Sequence, residues 1–172
     1  CATILTDKLG SNQVTVFRGA SDYLCRNHIV LIEEAIREVD FVLLQLEVSI
    51  DLLREVIRIA KQCGTKVVLN PAPALIKSDD EIINEVDFLT PNEIEAKDIF
   101  NIPNDIKVSE YGDFLQKIVN NNVIITLGEQ GCLFVKPNYY RYFESIKVDV
   151  VDTTGAGDVF NAALTTMLKD HS

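Results

Sequence analysis

The chain has 172 residues, 47% of them hydrophobic and 24% charged, enough for one domain with a sizeable core. Its 16 basic residues stand against 26 acidic ones, and the formal net charge of -10 argues against nonspecific binding to nucleic acid or an anionic membrane. No apolar run reaches the ~18 residues of a membrane helix.

The four cysteines, Cys1, Cys25, Cys63 and Cys132, are scattered without a C-x-x-C pair, which reads as reduced thiols in a cytoplasmic protein. His28 and His171 make no zinc spacing with them. From Ala2 to Arg18 the pattern predicts two short strands around Lys8-Leu9-Gly10-Ser11-Asn12, because Val14 and Val16 alternate with Thr15 and Phe17. The period then becomes helical, with Ile29, Ile32, Ile36 and Val39 on one face. Phe41 to Leu46 is a nearly unbroken apolar run, which predicts a strand covered on both faces. Ser49 is a plausible N-cap for a helix bearing Leu52, Leu53, Val56, Ile57 and Ala60, and Gly64 is placed to end it.

Lys66 to Leu69 predicts the next buried strand, and the prolines of Asn70-Pro71-Ala72-Pro73-Ala74 impose a stiff loop. A short helix near Asp80–Val86 precedes Phe88-Leu89-Thr90, and Pro91-Asn92 open a helix running to about Ile99. Tyr111, Phe114, Leu115, Ile118 and Val119 predict another amphipathic helix. Val123 to Leu127 reads as a buried strand, followed by an antiparallel pair, Cys132–Val135 and Tyr139–Phe143. Lys147 to Val151 is expected to be a last strand. Strands alternating with crossover-length helices give βαβ units, hence a mainly parallel sheet with helices on both faces.

Ligands of open α/β sheets bind beyond the carboxyl ends of the strands. Glu47, Asn70, Asn92, Thr126 with Gly128, and Asp152 each follow or close a predicted strand, which predicts one long cleft along that edge. The stretch Asp152-Thr153-Thr154-Gly155-Ala156-Gly157-Asp158 then runs into the apolar helical pattern Val159-Phe160-Asn161-Ala162-Ala163-Leu164. A helix start of this kind binds anions through its free N–H groups, and glycines let a ligand approach the backbone. A carboxylate beside such a cradle suits phosphoryl transfer to a hydroxyl. Each signal also has a plain reading: Asp158 as a first-turn acid, Asn92-x-x-Glu95 as a capping box, Thr126 to Gly131 as a turn, Glu47 as a solvated acid. The Walker A lysine motif and G-x-G-x-x-G are absent.

Taken together, Leu43-Leu44-Gln45-Leu46-Glu47, Asn70 to Ala74, Thr90-Pro91-Asn92-Glu93-Ile94-Glu95-Ala96, Thr126 to Gly131 and Asp152 to Asp158 resemble the ribokinase-like carbohydrate kinase family. The resemblance implies a three-layer α/β/α sandwich with a mainly parallel sheet in residues 21–172, and residues 1–20 as the remnant of a small β lid. It implies ATP-dependent phosphorylation of a primary hydroxyl, with ribose first and fructose, deoxy-gluconate or a nucleoside as alternatives. Asp158 would take the hydroxyl proton, and the amides of Gly155, Ala156 and Gly157 would form the anion hole. Thr126, Leu127, Gly128, Glu129, Gln130 and Gly131, with Asn92, Gly157 and Asp158, would hold the nucleotide. Asn92 and Glu95 would place Mg2+ through water, Asp152 and Thr154 would bind K+, and Glu47 would contact the sugar. Pairing of two copies through the lid sheet is also implied. Family members are longer, with N-terminal sugar loops and C-terminal adenine-pocket helices, so this chain is either a fragment of a kinase or a shortened, non-catalytic binding remnant.

Overall fold

The computed structural model describes residues 2–6, 12–17, 19–24, 26–73, 75–78 and 80–170. The predicted turn at 8–11, Cys1, Cys25, Ala74 and His171 lie outside them. β1 (Ala2–Thr6) and β2 (Asn12–Val16) pair antiparallel as a separate two-stranded sheet. Two 3-10 turns (Gly19–Tyr23 and Arg26–His28) lead into α1 (Ile29–Arg37).

The main sheet has six strands in chain order: β3 (Phe41–Gln45), β4 (Lys66–Asn70), β5 (Phe88–Leu89), β6 (Asn122–Thr126), β7 (Cys132–Lys136) and β8 (Tyr139–Phe143). The first four are parallel and the last two join antiparallel. The intervening helices are α2 (Ile50–Cys63), α3 (Glu81–Glu85), α4 (Glu93–Phe100) and α5 (Tyr111–Leu115). Parallel strands laid down in one direction put right-handed crossovers on one face. The core lies there: Val67, Leu69, Leu89, Val123 and Ile125 from the sheet pack with Leu53, Ile57, Ile82, Ile99 and Leu115 from the helices. Alternate residues point to the other face, where α6 (Ala156–Asp170) completes a three-layer α/β/α arrangement.

Local chemistry sets several boundaries. The Ser49 hydroxyl accepts the Leu52 N–H at 3.3 Å, and Gly64 ends α2 at φ +78°. Asp80 caps α3 by accepting the Ile82 N–H at 3.0 Å. Three expectations need correction. Among the described residues β3 has a sheet neighbour on one side only, and Leu43 is 42% exposed, so the strand is not covered on both faces. α5 ends at Leu115, and Ile118 of its predicted apolar face is exposed. Residues 147–151 form no strand: Val148, Val150 and Val151 are exposed, and no described strand lies beside them to accept a ladder. Apolar alternation without a partner edge does not make a sheet.

Candidate active site

The first turn of α6 lies over the carboxyl ends of β3 to β5. Gly155, at φ +76°, turns the chain into the helix, and its carbonyl accepts the Val159 N–H at 3.0 Å. Helix geometry leaves the amides of Ala156, Gly157 and Asp158 without intrahelical acceptors. That of Ala156 donates to the Thr153 carbonyl at 3.1 Å, which leaves Gly157 and Asp158 as the outward donors of this turn. A Cβ added to Gly157 would meet nothing within 4 Å, so there is open space beside its backbone.

Asp158 is held from the sheet. Gln45, the last residue of β3, donates from Nε2 to Asp158 Oδ1 at 3.2 Å. Together with Ser21, Glu47, Asn70 and Asn161 they line a cleft of about 460 Å³. Glu47 is exposed at its rim, and Asn70 is buried at the end of β4. Behind Asp158, Asn161 Nδ2 donates to the Gly157 carbonyl at 3.0 Å, and Thr90 Oγ1 donates to Asn161 Oδ1 at 2.6 Å.

Further along the same edge, Asn92 and Glu95 form a complete capping box at the start of α4. Asn92 Oδ1 accepts the Glu95 N–H and Glu95 Oε2 accepts the Asn92 N–H, both at 2.8 Å. Burial pushes the Glu95 carboxyl up from its ordinary range, partly offset by the Asn92 N–H. Asn92 bridges to Thr126 at the end of β6, so the start of α4 abuts the turn that follows β6. In that turn Leu127 N–H donates to Gly131 O at 2.9 Å and Gly131 N–H to Gly128 O at 3.0 Å, around a 3-10 turn at Gly128–Gln130. Gly131 has a packing reason: at φ +94° its Cβ would stand 2.0 Å from the Phe143 carbonyl oxygen. Gly128, at φ +57°, faces open space, and Glu129 and Gln130 are exposed beside it.

Asp152 and Thr154 sit on the exposed approach to α6, outside the cleft lining. The Thr154 N–H donates to Asp152 Oδ1 at 2.8 Å, and the Thr154 backbone and hydroxyl hold the Asp152 carboxyl below its ordinary range. Among the described residues no group of three or more His, Cys, Asp or Glu is arranged to hold a metal directly. A larger cleft of about 820 Å³ lies between α2 and α3, where both lining arginines are already paired, Arg58 with Glu55 at 2.6 Å and Arg54 with Asp80 at 3.5 Å.

The structure thus brings Glu47 and Asp158 to one cleft, with Gly157 in the same turn as Asp158, and Asn92, Glu95 and Thr126 to the adjoining stretch of edge. The sequence reading missed Gln45, Thr90 and Asn161 as site residues. Gln45 is the polar end of an apolar run, and Asn161 lies three residues after Asp158 on the same helix face; both were available signals.

The pfkB family carbohydrate kinase model matches residues 1–171. The chain belongs to the pfkB carbohydrate kinase family. It is 34% identical over 170 residues to a ribokinase of Staphylococcus aureus, covering 98% of this chain and 56% of that protein. It is 32% identical over 162 residues to a deoxyribokinase of Salmonella typhi, covering 92% of this chain and 53% of that one. Among solved structures, ribokinase of Thermotoga maritima superposes with a TM-score of 0.75 at 36% identity, covering 98% of this chain and 56% of that chain. Arabidopsis thaliana ribokinase complexed with ribose and ATP gives a TM-score of 0.77 at 25% identity, covering 97% and 55%. The fold of this pfkB chain is therefore ribokinase-like, and the chain spans about half the length of the curated relatives it matches.

Proposed function

We propose that this pfkB chain carries the phosphoryl-transfer edge of an ATP-dependent sugar kinase whose substrate is ribose. The observation that supports it best is Asp158 in the first turn of α6, held by Gln45 within a cleft that also presents Glu47. In this reading the primary hydroxyl of the sugar attacks the γ-phosphorus, the bond to ADP breaks, and the hydroxyl proton passes to Asp158. The first-turn amides of Gly157 and Asp158 donate toward the charge on the transferring group, with the helix dipole aligned to help. Glu47 accepts hydrogen bonds from sugar hydroxyls at the rim. The turn from Thr126 to Gly131 takes the nucleotide, with open space at Gly128 for a close approach.

Mg2+ fits the neighbourhood of Asn92 and Glu95 only as a hydrated ion. One oxygen of Glu95 is used in the capping box, and among the described residues the other takes no hydrogen bond. When bound, the ion neutralises charge on the phosphates. Asp152 and Thr154 offer one carboxylate and backbone oxygens to K+, which is one side of a cation site. Ribose is favoured among sugars because ribokinases and a deoxyribokinase recur among the relatives at 32–36% identity. Pairing of two copies through the β1–β2 ribbon, which pairs with no other described strand, belongs to the same reading.

The test is an ATP-coupled assay of this chain, and of any longer reading frame that contains it, against ribose, deoxyribose, fructose, deoxy-gluconate and nucleosides. ADP release that depends on ribose supports the proposal. ATP binding without turnover on any of them by the longer protein overturns it and leaves a binding module.

A further inference from the structure

Two polar side chains are sealed between the sheet and α6. Thr90, just after β5, and Asn161, on the inner face of α6, are each 3% exposed. Thr90 Oγ1 donates to Asn161 Oδ1 at 2.6 Å, with the Leu69 carbonyl a second, longer acceptor at 3.4 Å. Asn161 Nδ2 donates in turn to the Gly157 carbonyl at 3.0 Å. Replacing such a pair by apolar groups of the same shape is often neutral for stability, so stability alone is a weak reason for it. What the pair does supply is direction. The Gly157 carbonyl and the Asp158 N–H belong to one planar trans peptide and point opposite ways. In a helix the Gly157 carbonyl runs along the axis toward Asn161, so holding it there fixes the Asp158 amide toward the open end of the turn, together with the backbone that carries the Asp158 side chain.

The other end of the link is equally tied. The Thr90 N–H donates to Leu69 O at 2.9 Å, and the next carbonyl, of Pro91, accepts the Thr126 N–H at 3.0 Å. Asn92 follows and opens the capping box. The Thr90–Asn161 and Asn161–Gly157 hydrogen bonds thus join the turn bearing Asp158 to the strand end that leads into Asn92, two elements far apart in sequence.

We propose that Thr90 and Asn161 are positioning residues for phosphoryl transfer, which hold the first turn of α6 in register with the start of α4. The inference rests on the kinase reading above. Neither side chain touches substrate; they act through the Gly157–Asp158 peptide. A misplacement of about 1 Å at a reacting group can lower the rate on the order of 100-fold, so the expected signature is in kcat.

The test uses the active kinase containing this chain, with ATP and ribose. Thr90→Val, which keeps the shape and removes the hydroxyl, should lower kcat roughly 10- to 100-fold with both KM values within about threefold. Thr90→Ser should recover most of the loss, and Asn161→Ala should repeat it from the helix side if the valine variant does not fold. Normal kcat in both variants, a loss confined to KM, or a serine variant as slow as the valine one overturns the assignment. Amide exchange separates the two readings, because it needs no turnover. In the Thr90→Val chain the Val159 amide, which donates to the Gly155 carbonyl at 3.0 Å and closes the first turn, should exchange at least about tenfold faster than in the parent. If the parent kinase proves inactive on every sugar, the function fails while faster exchange still supports the anchor. Unchanged exchange sinks the anchor itself.

Discussion

Asp158→Asn isolates the proposed proton acceptor from everything else that Asp158 does. The amide is nearly isosteric, and its carbonyl oxygen can still accept from Gln45 Nε2, which lies 3.2 Å from Oδ1. The first turn of α6 and the cleft should therefore keep their shape. What disappears is a group able to take a proton, and general-base assistance is typically worth about 10²- to 10⁴-fold. At 1.36 kcal/mol per decade the barrier rises by roughly 2.7–5.4 kcal/mol. Loss of a negative charge at the helix start removes about 0.3–1 kcal/mol of stability, a fall of about 1–4 °C in Tm for a chain of this length. Steady-state kinetics in the longer kinase, with ATP affinity by titration and Tm by calorimetry, give the three numbers. The expected pattern is kcat down at least 100-fold, ATP affinity within a few-fold, and a small shift in Tm. Near-normal kcat would refute the role of Asp158 as base. A collapse of Tm would refute the view that its contribution is local.

The two glycines after β6 should behave differently. Gly128→Ala faces open space and meets only the left-handed strain, about 1–2 kcal/mol, whereas Gly131→Ala adds a clash with the Phe143 carbonyl and should cost clearly more; equal urea midpoints would contradict this. Asn92→Ala removes half of the capping box and should lower stability by about 1 kcal/mol, read by denaturant titration. The raised Glu95 carboxyl binds its proton more tightly folded than unfolded. Its contribution is thus present below the ordinary carboxylate pKa and lost as pH rises through the folded value; Glu95→Gln should flatten stability against pH above about 4.5, and an unchanged slope would contradict that. Replacing K+ by Na+ in the assay should slow turnover if Asp152 and Thr154 help hold the cation, and Asp152→Asn should abolish the difference; identical rates in the two salts with the parent protein would dismiss the cation role.

The parts of the molecule that were legible in the sequence are those governed by neighbours within a few residues. Ser49 and Gly64 bound α2, the prolines after Asn70 break regular structure, and Asn92 with Glu95 opens α4, because caps and turns are local chemistry. The one-sided pairing of β3 among the described strands was not legible, since an apolar strand does not record how many neighbours it has. The missing strand at 147–151 has the same origin: alternation states a capacity to pair, and pairing needs a partner edge. The Thr90–Asn161 contact spans 71 residues, and no local pattern encodes it. At Gly131 the sequence offered a turn or a close approach to phosphate, and the Phe143 backbone adds a packing reason that no local pattern encodes.

The chain-order arrangement of the six strands has a consequence for assembly. Each strand from β4 to β8 docks beside the one made just before it, so the sheet can grow outward as the polypeptide leaves the ribosome, with short loops to close at every step. α6 breaks this rule. It returns across the six strands to β3, where Asp158 meets Gln45 across 113 residues and Lys169 pairs with Asp40 at 2.8 Å. The cleft therefore forms only once α6 has docked, and a nascent chain halted before Ala156 would have the six strands without the Asp158 side of the cleft.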